Sequence, residues 1–244
     1  MNADPAAIVL GALACGAAGL LVPGLIARIP EPDPGPDADP DQAGERPEPA
    51  YADLAAAPGL TTVAVVLCLL AGALVGLAVG MAGPLVYLLP LVPVGVALAL
   101  VDLRTRLLPT AVVRPALVGV VLLGGLAAYL DRDPDALVRA GVATAVVFGL
   151  FFALWWIHPP GMGYGDVRLS AVLGFALGYL GWPEVLVGIY GAFLAFAVPG
   201  LVVAVLRRSR AVLGRAYPFG PFLLGGALAG VVVGDPLWTR LVAG

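Results

Sequence analysis

The chain has no lysine, a single histidine and only two cysteines in 244 residues, and just 12% of it is charged. Each shortage closes a class of function. All thirteen basic residues are arginine and none forms a basic block, which leaves no electrostatic footprint for nucleic acid. Cys15 and Cys68 lie inside apolar runs and form no CxxC pair, so they pack as small hydrophobes and supply neither a zinc nor a redox site. The lone histidine, His158, stands beside two prolines with no partner in view and reads as structural. Soluble domains average about 25% charged residues, so the low charge excludes one here. The apolar runs also lack the alternation of β-barrel strands.

What is present is hydrophobic length. Eight apolar runs fall at 6–27, 60–82, 84–101, 111–130, 138–157, 167–182, 184–206 and 220–241. A helix needs about 20 apolar residues to span a bilayer, and backbone groups in lipid must pair within their own segment. The expected fold is all-α, a polytopic membrane helix bundle of about eight transmembrane helices. The sixth run is short, and Asp235 with Pro236 interrupts the eighth, so seven is the lower count. "ALAC" at 12–15 faintly resembles a lipoprotein signal. The missing basic n-region and long apolar run instead predict a retained first helix at 1–29.

Residues 30–58 form a second region. "EPDPGPDADPDQAGERPEPA" is rich in acid and proline and nearly free of aliphatics, which predicts a disordered cytoplasmic loop. Its charge also makes it a candidate lure for a basic substrate segment. Residues 59–244 form the third region, membrane-embedded throughout. Arginines set the orientation, because positive charge stays cytoplasmic. Arg28, Arg46, Arg104, Arg106, Arg114, Arg168, Arg207, Arg208, Arg210 and Arg215 share one side if both termini lie outside; Arg132, Arg139 and Arg240 keep the other. Glycines at four-residue spacing, Gly72, Gly76 and Gly80, then Gly174 and Gly178, mark close helix packing.

Carboxylates at membrane depth are expensive and are functional candidates by default. Asp131, Asp133, Asp135 and Glu184 are expected in external loops, and Asp235 near the end of the last helix. Asp102 in "ALVDLRTRLLP" and Asp166 in "GMGYGDVRLS" remain. Taken singly, Asp102 could pair with Arg106 one turn on, and Asp166 could cap a helix. Taken together, the topology sets both at one cytoplasmic depth. Two carboxylates there can share a proton, one activating water while the other protonates a scissile carbonyl. Gly163 and Gly165 would let an extended peptide approach the backbone.

Gly163-Tyr164-Gly165-Asp166 matches the GxGD motif of intramembrane aspartyl proteases. More specifically, the chain resembles the prepilin leader peptidases of type IV pili and type II secretion. The shared features are Asp102 followed by "LLP", "GYGDVRL" with Arg168 where lysine is usual, and "PFGPFL" from Pro218 to Leu223. The opening helix, ending in an arginine and proline, is also similar. The resemblance implies catalysis by Asp102 and Asp166. It adds Gly163, Tyr164, Gly165, Arg168, Pro218, Phe219, Gly220 and Pro221 as substrate-binding or site-shaping residues. The implied substrate is a prepilin or pseudopilin precursor with a short basic leader, a glycine before the cut and an apolar helix after it. The implied location is the bacterial cytoplasmic membrane, with cleavage at its cytoplasmic face. The bifunctional members carry a cysteine-rich cytoplasmic segment tied to N-methylation; the acidic loop stands there with no cysteine, so no metal, no cofactor and no methyltransferase activity are expected. A presenilin-type protease would place Pro-Ala-Leu after GxGD, whereas Pro115 to Leu117 precedes it. A transporter using Asp102 and Asp166 for protons or cations would set them nearer midplane, usually within an internal repeat.

Overall fold

The computed structural model describes residues 4–31, 50–158, 162–206 and 218–242. The core of the acidic loop, Gly161, Arg207, Arg208, Arg210 and Arg215 therefore lie outside the described residues. Every regular element within them is helical: α1 (Pro5–Gly19), α2 (Val22–Ala27), α3 (Tyr51–Ala55), α4 (Leu60–Val79), α5 (Leu85–Thr105), α6 (Thr110–Asp131), α7 (Pro134–Ile157), α8 (Tyr164–Leu180), α9 (Trp182–Leu206) and α10 (Gly220–Val242). Six of them, α4 to α7, α9 and α10, are long and apolar enough to cross a membrane. The protein is a multi-pass membrane helix bundle.

The single helix expected at 6–27 is two. Pro23 has no N–H to offer the carbonyl four residues back. The chain tightens ahead of it, with Leu20 and Leu21 donating three residues back at 3.2 and 2.9 Å, and restarts as α2. The disorder expected over 30–58 does not hold at its far end, where "YADLA" folds as α3. Tyr51 and Leu54, three apart on one face, are both buried. The Tyr51 N–H donates to Glu31 Oε1 at 2.7 Å, clasping the two ends of the acidic segment together. At the other end of the chain, Asp235 and Pro236 do not break α10, which runs through both.

Small residues let the helices touch backbone to backbone. A Cβ on Gly72 would strike the Gly11 carbonyl of α1, and one on Gly76 the Ala7 carbonyl. Gly174 and Gly178 serve α8 in the same way against Thr144 and Ala143 of α7. Gly80 belongs elsewhere: with φ at 68° it ends α4 in the left-handed region that glycine tolerates.

The central helix is α8. From Asp166 to Tyr179 every residue is buried except the half-buried Arg168. Its 17 residues rise about 26 Å, and protein rather than lipid surrounds it, so it tolerates both polar side chains and short length. Its C-terminal carbonyls are met by Arg139 of α7, which donates to Gly178 at 3.0 Å and to Tyr179 at 2.5 Å. Glu184, expected in a solvated loop, is buried in the first turn of α9, its backbone and side chain packed against Gly234 of α10.

Candidate active site

Asp102 sits one turn before the end of α5. The alternative pairing with Arg106 has no helical register to use, because Arg106 leaves the helix at φ 56° and its N–H closes on the Asp102 carbonyl at 2.9 Å. The Asp102 side chain is 4% exposed, and its Oδ2 instead accepts the Gly220 N–H at 2.9 Å. Gly220 is the first residue of α10, so this bond uses one of the N–H groups that a helix start leaves unpaired.

Asp166 is not the cap of α8. Gly163 is, and Asp166 lies three residues on, its N–H bonded to the Gly163 carbonyl at 3.1 Å. Its carboxyl is 8% exposed, and Oδ1 is buried with no hydrogen-bond partner. The contact of Gly165 with Leu108 sets the end of α5 that carries Asp102 beside the start of α8 that carries Asp166. Three helix ends, of α5, α8 and α10, thus converge at one end of the bundle.

The glycines are there for contact. A Cβ on Gly165 would come within 2.7 Å of Leu108 Cβ, so the "LLP" turn rests directly on the first turn of α8. A Cβ on Gly220 would lie 2.8 Å from Asp102 Oδ2. Gly163 is less constrained, its nearest neighbour being Asp166 Oδ2 at 3.4 Å.

Phe219 fixes Gly220 in place. Its ring packs against Phe193 at 5.3 Å, Phe196 at 5.2 Å and Phe151 at 6.2 Å. Pro218 is half-buried ahead of the helix and Pro221 half-buried within its first turn. Tyr164 packs on Trp155 at 4.9 Å and carries the Arg168 guanidinium 4.6 Å above its ring. Arg168 also donates to Thr110 Oγ1 at the start of α6. It thereby ties α8 to α6. Nothing in the sequence marked Thr110 or the Gly220 N–H; both need the tertiary fold to become neighbours of the motif. His158 ends α7 through its backbone N–H. Beside the site, Tyr51 of α3 has its hydroxyl pKa raised by burial and then by the charge of Glu31, with a Thr105 hydrogen bond opposing.

Among the described residues no group of three His, Cys, Asp or Glu side chains could hold a metal ion. A pair of buried carboxyls beside a glycine-lined turn is equipped for proton transfer to and from a peptide.

Residues 89–234 match the type IV leader peptidase family, and the chain belongs to it. It is 35% identical over 156 residues to leader peptidase HopD of Escherichia coli, covering 61% of this chain and 90% of that protein. The prepilin leader peptidase/N-methyltransferase of Aeromonas salmonicida is 34% identical over 136 residues, 55% of this chain and 44% of that protein. That of Burkholderia pseudomallei is 33% identical over 151 residues, 59% and 45%. The chain thus spans less than half the length of these two bifunctional relatives. No solved structure matches it. The matched segment takes in Asp102, the GYGD turn and Gly220. This is a peptidase family, and membership removes the support for reading the two aspartates as a transporter's ion site.

Proposed function

We propose that this protein is an aspartic endopeptidase that removes the short basic leader of type IV pilin-like or pseudopilin precursors at the cytoplasmic face of the bacterial inner membrane. The single observation that carries the reading is the convergence of two buried carboxyls, Asp102 and Asp166, where the end of α5 packs on the start of α8, in a chain of the leader peptidase family. Like charges this close and this buried do not both ionise readily, so one proton is shared between them.

The hydrogen bonds support a division of roles. A donor favours the ionised form of the carboxylate it meets, and Asp102 has one in the Gly220 N–H. Asp166 has a buried oxygen without a partner, and a proton there lessens the cost of burial. In this reading Asp102 takes a proton from water as the oxygen attacks the scissile carbonyl. Asp166 protonates the carbonyl oxygen, and the C–N bond then breaks with proton return to the leaving amine. The arginine count supports a cytoplasmic site, since a basic leader is retained on that side. Methyl transfer is not part of the proposed activity, because the region between the first two membrane helices carries no cysteine.

The deciding measurement is cleavage of a candidate precursor in membranes by wild type, Asp102→Asn and Asp166→Asn at matched expression. General acid–base groups contribute about 10²- to 10⁴-fold each, so both variants should fall below detection while accumulating normally. Cleavage by either variant at near wild-type rates would exclude the two-aspartate mechanism.

A further inference from the structure

An apolar groove opens between α4, α5, α8 and α10 and encloses about 290 Å³. Every residue lining it is Leu, Val, Ala, Gly or Pro. Its position is tied to the two carboxyls through helix periodicity. At about 100° per residue, positions seven and eleven apart share a helix face. Gly95 and Leu91, which line the groove, stand seven and eleven residues before Asp102 on α5. Leu173 and Leu177, which also line it, stand seven and eleven residues after Asp166 on α8. Pro221 lines its wall and directly follows Gly220, the donor to Asp102. The groove therefore continues the faces that carry both aspartates, starting about one turn from Asp102 at Ala99 and about two turns from Asp166 at Leu173.

The lining runs from Ala99 back to Leu88 on α5 and from Pro221 to Val231 on α10. At about 1.5 Å per residue each wall is roughly 15 Å long, half the thickness of a hydrocarbon core. In lipid, helix association depends on close packing of small residues rather than on removing apolar surface from water. The walls offer Gly95, Ala99 and Gly225 for such packing.

We propose that this groove seats the first turns of the apolar helix on the product side of the scissile bond, which makes it the specificity surface for the precursor's membrane segment. The inference rests on the peptidase reading above and adds the place where the substrate helix lies. A substrate whose cut bond meets the carboxyls has its next residues directed along these same faces. About 15 Å accommodates roughly ten residues of helix.

Gly225 provides the test. A Cβ there meets nothing within 4 Å, so Gly225→Leu places bulk in the groove without forcing a clash at its first atom. The probes are two synthetic peptides in phosphatidylethanolamine/phosphatidylglycerol vesicles. One carries a basic leader, a glycine and a twenty-residue apolar helix; the other ends four residues after the glycine. The quantity read is the ratio of kcat/KM for the long peptide over the short one. The groove assignment predicts that this ratio falls at least tenfold in Gly225→Leu. An unchanged ratio overturns it, whether both rates stay high or fall together, and leaves the groove to lipid acyl chains. Wild type that cuts neither peptide overturns the peptidase reading itself. In a second measurement, a photoreactive residue seven places after the glycine of the long peptide is activated with Asp102→Asn enzyme. Crosslinks to α4, α5 or α10 within the groove support the assignment, and crosslinks confined to α6, α7 or lipid overturn it.

Discussion

The Gly220 N–H points at Asp102 Oδ2 from 2.9 Å, across 118 residues of sequence. The relationship explains the "PFGPFL" segment physically. Phe219 locks into an aromatic cluster, glycine leaves room for the carboxylate, and the start of α10 supplies a free N–H. A helix start with that bond also holds a charged Asp102 more comfortably than water-free surroundings alone permit.

Gly220→Ala should therefore cost activity more than stability. The added Cβ falls 2.8 Å from Asp102 Oδ2, so the carboxylate must move off its donor. A drop in kcat of about 100-fold is expected, within the range for a disturbed acid–base group. Gly149→Ala in α7, outside the site and with open space around it, is the matched control for added helix propensity. Equal kcat for the two variants would remove Gly220 from the mechanism.

Gly165→Val should separate the "LLP" turn from α8. Its Cβ would lie 2.7 Å from Leu108 Cβ, and both atoms belong to backbone-fixed positions. Overpacking of this kind costs about 1–3 kcal/mol, and the lost register should lower cleavage further. Thermal unfolding in detergent and cleavage rates measured on the same sample separate the two effects.

Arg168→Ala removes both the contact with the Tyr164 ring and the bond to Thr110. A cation over an aromatic ring is worth about 0.5–1 kcal/mol at an exposed site, so a modest loss of stability is expected. Arg168→Lys keeps the positive charge and should recover most of the activity. Failure of lysine to rescue would show that the planar guanidinium itself is required.

Arg139→Gln tests stability away from chemistry. The α8 carbonyls of Gly178 and Tyr179 lose their donors at the opposite end of the helix from Asp166. Unsatisfied buried polar groups cost about 1–3 kcal/mol each, and detergent melting should report it. Cleavage per folded molecule should stay within about twofold.

Neutralising the acids of segment 31–53 should slow cleavage of a basic-leader precursor most at low salt, because the attraction is screened within about 10 Å at 0.1 M. The clasp between Glu31 and the Tyr51 N–H holds the two ends of that segment together. Rates that do not depend on ionic strength in wild type or variant would dispose of the recruitment role.

Composition and hydropathy alone determined a helical membrane bundle, since lipid tolerates no unpaired backbone and each long apolar run must become a helix. The motif aspartates were legible for a related reason: a carboxylate in a chain this apolar needs a function. Local sequence was less informative where a long-range contact decided the outcome. α3 orders because Tyr51 and Leu54 find buried sites and Glu31 accepts its first N–H, none of which is local information. Glu184 is buried rather than solvated because the start of α9 packs directly on Gly234 of α10. The partners of the catalytic candidates were likewise set by packing. Asp102 meets Gly220, and Arg168 meets Thr110, only because the ends of α5, α6, α8 and α10 converge, and helix crossings are a property of whole faces rather than of neighbours in the chain.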